Sequence, residues 1–118
     1  MEFYQISQMI MQTSQRIDKA TREIYKMAKE KAHTEFEYRQ ALAAEITRLK
    51  AEGMPVSVLY DIAKGNVADK LLERDLAEGL YKSSIESMRA LQAELSGLQS
   101  ILRYQDEIEN KHRGGLNG

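Results

Sequence analysis

Gly53-Met54-Pro55 brings a glycine together with the only proline of this 118-residue chain. Gly53 is suited to the left-handed conformation that closes a helix, and Pro55 lacks the N–H with which a helix would simply continue. On either side of this punctuation run about forty-five residues of nearly unbroken helical period. A chain divided in this way is predicted to be all-α: a long antiparallel helical hairpin with a short helix at its tip. Two helices joined at one end enclose no pocket and leave their apolar stripes partly uncovered, so the hairpin is expected to assemble into a helical bundle or coiled coil. The expected boundaries are one domain over 1–113 (helix 3–52, a tip with a short helix over 53–66, helix 67–113) and a flexible tail over 114–118.

The first limb carries Phe3, Ile6, Ile10, Thr13, Ile17, Ala20, Ile24 and Met27 at alternating steps of three and four, the pattern of a coiled-coil seam. Past Met27 the pattern is predicted to shift phase through Ala28, Ala32 and Glu35, resuming at Tyr38, Leu42, Ile46 and Leu49. The second limb presents Leu72, Leu76, Leu80, Met88, Leu91, Leu95, Leu98 and Leu102, flanked by Tyr81, Ile85, Ile101 and Ile108, a stripe too broad for one neighbouring helix. A homodimer or higher oligomer is therefore expected, with Ile6, Ile10, Ile17, Ile24, Leu80, Met88, Leu91, Leu95, Leu98 and Leu102 as its interface.

At the tip, Ser57 is predicted to cap a helix over Val58–Lys64 that Gly65 ends, and Asn66 with Asp69 resembles a capping box opening the last limb. Met54, Val56, Val58, Leu59 and Tyr60 are strongly apolar for a connection. They read either as a plug for the end of the bundle or as a knob that docks an unidentified protein partner.

Composition excludes several kinds of chemistry. Seventeen Lys and Arg against eighteen Asp and Glu leave a net charge of -1 and no bulk attraction to nucleic acid. With no cysteine, disulfides and thiolate catalysis drop out. Both histidines fall in Glu-x-x-His contexts, Glu30 to His33 and Glu109 to His112, a motif that builds di-iron sites in bundles. A hairpin turning near residue 60 pairs positions whose numbers total about 120, which sets the two motifs many turns apart. No metal, cofactor or catalytic constellation is expected, and the chain reads as a non-enzyme. Arg16, Lys19, Arg22, Lys26 and Lys29 recur at helical spacing, but Asp18, Glu23 and Glu30 interrupt them. Contact with single-stranded DNA is accordingly the secondary expectation. No apolar run reaches the roughly twenty residues of a membrane span, and Phe3–Met11 lacks the basic leader and cleavage site of a signal peptide, so no membrane partner and a cytoplasmic location are expected.

The segment Gly53-Met54-Pro55-Val56 through Asp61-Ile62-Ala63-Lys64-Gly65-Asn66-Val67-Ala68-Asp69, with Glu73-Arg74-Asp75-Leu76-Ala77-Glu78 and the run from Leu91 to Ser100, resembles small helical proteins of phages and prophages of Gram-positive bacteria. The likeness covers about the last two-thirds of the chain. It implies a phage accessory protein in the cytoplasm of a bacterial host, either an inhibitor of a host or defence protein or a factor in phage recombination or replication. It assigns no functional residues.

Overall fold

A computed structural model describes residues 2–117, with side chains described through Gly114. The described residues form three helices: α1 (Phe3–Ala51), α2 (Val56–Asn66) and α3 (Ala68–Asn117). α1 packs against α3, so the all-α helical hairpin expected from the sequence is the fold. The chain divides into two compact units. The tip unit is Ile24–Ser84, and the end unit combines Met1–Glu23 with Ile85–Gly118.

The reversal is short and held by backbone hydrogen bonds. Gly53 has φ +81°, the left-handed conformation anticipated for it. Its N–H donates to the Lys50 carbonyl at 3.0 Å, and the Met54 N–H donates to the Leu49 carbonyl at 3.1 Å. These two bonds satisfy carbonyls that the end of α1 would otherwise orphan, and the apolar contact expected of this motif is present, Met54 packing on the cluster that contains Leu49. Pro55 then occupies the N-cap position of α2, with no side-chain cap. Its carbonyl accepts from the Val58 and Leu59 N–H groups. α2 thus opens at Val56, two residues earlier than a Ser57 cap predicts, because the proline ring already fixes a compatible φ and removes a donor that would need a partner.

Nor does α2 end at Gly65. The break falls at Val67, whose N–H is shared between the Ala63 and Lys64 carbonyls and whose own carbonyl accepts from Lys70 and Leu71. Instead of capping α3, Asn66 donates its side-chain amide to Glu45 on α1 at 2.8 Å.

That bond marks a change of register. α2 lies back along the end of α1: Leu59 and Ala63, both fully buried, form a cluster with Leu49, and Leu42, Ile46 and Met54 pack around it. Glu45 meets Asn66, Glu37 meets Lys70, Glu35 meets Arg74, and Lys31 lies over Tyr81. In the end unit Arg16 meets Glu94. Partner numbers therefore total about 110 rather than 120. The chain reverses within a few residues around Gly53, and what reads in the sequence as a tip helix is the first stretch of the returning limb.

The phase shift expected after Met27 is absent. Half-buried Lys31, buried Thr34 and buried Tyr38 carry the three-and-four seam forward without a break. The Thr34 hydroxyl donates to the Glu30 and Lys31 carbonyls, which makes a polar seam residue tolerable. In the end unit Ile6, Thr13 and Leu98 are buried, with Ile10, Ile17, Met88, Leu91, Leu95 and Leu102 half-buried along the same seam. α3 continues through Gly114-Gly115 to Asn117, since a glycine weakens a helix by about 1 kcal/mol without forbidding it. Gly118, the last residue of the expected tail, lies outside the described residues.

One consequence is a pH dependence. Hydrogen bonds from Arg48 and Asn66 hold the Glu45 carboxyl below its ordinary value of 4.5. A carboxylate whose folded pKa is depressed contributes stability that is present above its unfolded value and is lost as the pH falls through the folded one. Urea unfolding at about pH 7 and pH 3 is expected to show a smaller acid-induced drop in midpoint for Glu45→Gln than for the unaltered chain.

Candidate association surface

The start of α3 places its side chains opposite to the usual arrangement. Facing α1 are Lys70, Arg74, Ala77 and Tyr81; of these Ala77 is buried and the other three are half-buried. Leu72, Leu76 and Leu80, in contrast, are 60%, 59% and 55% exposed. The cause is the spacing. A seam that stays in phase alternates steps of three and four, as Lys70, Arg74, Ala77, Tyr81 does. On the helical wheel those four seam residues fall within about 60° of one another, whereas Leu72, Leu76 and Leu80 occupy a separate arc of about 80°, so the row lies outside the seam.

Charged seam residues are made tolerable by partners on α1 and on α3 itself. The Arg74 guanidinium carbon lies 4.6 Å from the centroid of the Tyr38 ring, and its nitrogens meet Asp75 at 3.1 Å and Glu35 at 3.5 Å. Lys70 reaches Glu37 at 3.3 Å and Glu73 at 3.5 Å. The Glu37 hydrogen bond, reinforced by the charges of Glu37 and Glu73, raises the Lys70 pKa and keeps it a cation. Glu37 is held from its own helix too, with His33 Nε2 2.7 Å away. Beside this network the exposed Leu76 and Leu80 flank a shallow groove whose other wall is Glu30, His33 and Thr34.

Other uncovered apolar side chains in the tip unit are Tyr25 and Phe36 on α1 and Val56, Val58, Tyr60 and Ile62 on α2. The five apolar tip residues singled out in the sequence therefore separate. Leu59 is turned wholly inward, Met54 is half-buried against the Leu49 cluster, and Val56, Val58 and Tyr60 face outward at 69%, 43% and 46% exposure. Of the ten expected interface residues, Ile6 and Leu98 are buried within the chain and Ile10, Ile17, Ile24, Met88, Leu91, Leu95 and Leu102 are half-buried. Leu80 alone among them is exposed. Leu72 and Leu76, which belong to the same stripe in the sequence, go with Leu80, and their place on the helical wheel, on an arc apart from Lys70, Arg74, Ala77 and Tyr81, is what separates them from the seam.

His33 sits beside Leu76, Ala77 and Leu80, not opposite Glu86 or Arg89 as a register of 120 implies. His112 belongs to the end unit and is exposed. Among the described residues no group of three or more His, Asp or Glu side chains is arranged to hold a metal ion. In the basic row of α1, Arg16 is paired with Glu94, Lys29 lies over the Tyr25 ring, and Lys26 has a partner of its own. Among the described residues no helix is long and apolar enough to cross a membrane. The chain matches no protein-family model, no curated protein and no solved structure.

Proposed function

We propose that this chain is a non-enzymatic helical association protein, acting by pairing its uncovered apolar rows with another copy of itself and with a protein partner. The observation that supports this reading is the arrangement of α3, with ionisable Lys70 and Arg74 turned toward α1 while Leu72, Leu76 and Leu80 are left in water. Burying a leucine fully is worth about 1.5–3 kcal/mol, so an isolated hairpin forgoes several kcal/mol that a covering helix recovers.

The likeness of the turn and second limb to phage and prophage proteins supports a setting in the cytoplasm of a bacterial host, with a host or defence protein as the heterologous partner. Self-association is tested by sedimentation equilibrium across a wide concentration range. The expected result is a weight-average mass that rises with concentration above the 13.5 kDa of one chain. A constant single-chain mass up to the highest soluble concentration would contradict the reading.

A further inference from the structure

Resting on that reading, we propose that the groove between α1 and α3 in the tip unit seats a basic amphipathic helix of the protein partner, with the apolar side chains of that helix against Leu76 and Leu80 and its lysines and arginines against Glu30, Glu37 and Glu73. Charge selects this occupant. The three glutamates line the groove beside the two leucines. From Glu37 it runs on over Ala41 and Ala44, and among the described residues lining the two stretches the one lysine or arginine is Lys70, whose ammonium is already shared between Glu37 at 3.3 Å and Glu73 at 3.5 Å. Three carboxylates against one ammonium leave the groove negative. Further along α1, beyond Glu30, Lys26 and Lys29 have partners of their own, Lys29 lying over the Tyr25 ring. The opposite side of the same helix pair is the reverse: Lys31, Arg39 and Arg74 outnumber Glu35 and Glu78 there, and no leucine is among them. An uncharged apolar ligand would cover Glu30 and Glu73 at a desolvation cost that a ligand cation beside each offsets. The length agrees. Glu30 to Ala44 spans about 21 Å of α1, about four turns, and the apolar anchors of an amphipathic ligand recur one turn apart, as Leu76 and Leu80 do.

The probe is a dye-labelled synthetic peptide of about five turns built from Leu, Ala and Lys, its leucines at helical spacings of three and four, with a counterpart in which Glu replaces every Lys. Binding to the full-length chain is followed by fluorescence anisotropy. The Lys peptide is expected to bind one per chain, to weaken as salt is raised, and to bind at least about tenfold more tightly than the Glu peptide. Glu30→Lys together with Glu73→Lys is expected to weaken the Lys peptide at least about tenfold, and Leu80→Gln alone about fivefold. Glu78→Lys, on the opposite side, is expected to stay within about twofold of the unaltered chain, and circular dichroism checks that each variant keeps its helicity. Equal binding of the two peptides, or equal losses in Glu78→Lys and the groove variants, would overturn the assignment. If the double substitution changes the sedimenting mass of the chain and not the affinity for the peptide, a second copy fills the groove and the inference falls. Sedimentation without peptide tests self-association by itself. A mass that rises with concentration while the Lys peptide fails to bind would overturn this inference alone, whereas a constant single-chain mass with the peptide bound as expected would remove self-association and leave the groove standing.

Discussion

Leu59→Ala is expected to lower the folding stability by about 2–5 kcal/mol, the range for truncating a fully enclosed leucine. Leu59 is 0% exposed and shares its cluster with Leu49 and Ala63, while Leu42, Ile46 and Met54 close around it. The cost exceeds the transfer free energy of the missing atoms because two of the surroundings cannot collapse into the space. Ala63 has only a methyl group, which cannot extend, and Met54 is tied through its N–H to the Leu49 carbonyl in the turn. The cluster also joins α2 to α1, so its loss loosens the point from which the whole returning limb takes its register. Urea denaturation followed by circular dichroism is expected to show a lower midpoint with little change in slope. Val56→Ala, three residues earlier at 69% exposure, is the control and is expected to stay within about 0.5 kcal/mol of the unaltered chain. Equal effects of the two substitutions would mean that α2 is not docked on α1.

The contrast between Leu59 and Val56 also shows what was legible in the sequence. The hairpin could be read because its signals are local: Gly53 needs a conformation that favours glycine, Pro55 blocks simple helix continuation, and the three-and-four spacing is long enough to be unmistakable. The register could not, since it depends on which face of α2 packs against α1, and that is decided by Leu59 and Ala63 meeting Leu49, a contact between residues ten or more positions apart. A glycine at 65 and a serine at 57 look like punctuation, yet their backbones continue the helix and the preference is overridden by packing. Polar seam residues misled for a similar reason. Lys31 and Thr34 look like an interruption of the first seam, but a lysine stem covers apolar surface while its ammonium lies 5.9 Å from the Tyr81 ring centroid, and the threonine hydroxyl is satisfied by its own helix. Once Lys70 and Arg74 take the places facing α1, Leu72, Leu76 and Leu80 fall on the outward side of α3. Counting apolar residues into a single stripe conceals that separation, and the candidate surface was therefore only partly visible, through Leu80.

Substituting glutamine at Leu72, Leu76 and Leu80 together is expected to abolish self-association while leaving the hairpin folded. Each of these leucines is already between half and two-thirds exposed, so the isolated chain gains little from them. Glutamine matches leucine closely in helix propensity, so unfolding midpoints are expected to move by less than about 1 kcal/mol. Association is another matter. Covering the exposed half of a leucine releases about 1 kcal/mol, and the row holds three, a gross contribution of about 3 kcal/mol or about two orders of magnitude in Kd. Sedimentation equilibrium of the triple variant is expected to give the mass of one chain at concentrations where the unaltered protein is associated. Leu59→Ala is expected to do the reverse, lowering stability without touching the outward row. If the triple variant instead unfolds, its leucines are covered from within, and if it associates undiminished, the covering helix lies elsewhere. The two leucine experiments thus separate what holds the hairpin together from what the hairpin holds: one apolar residue type serves folding where Leu49 and Ala63 enclose it, and serves association where the seam has given its inward places to Lys70 and Arg74.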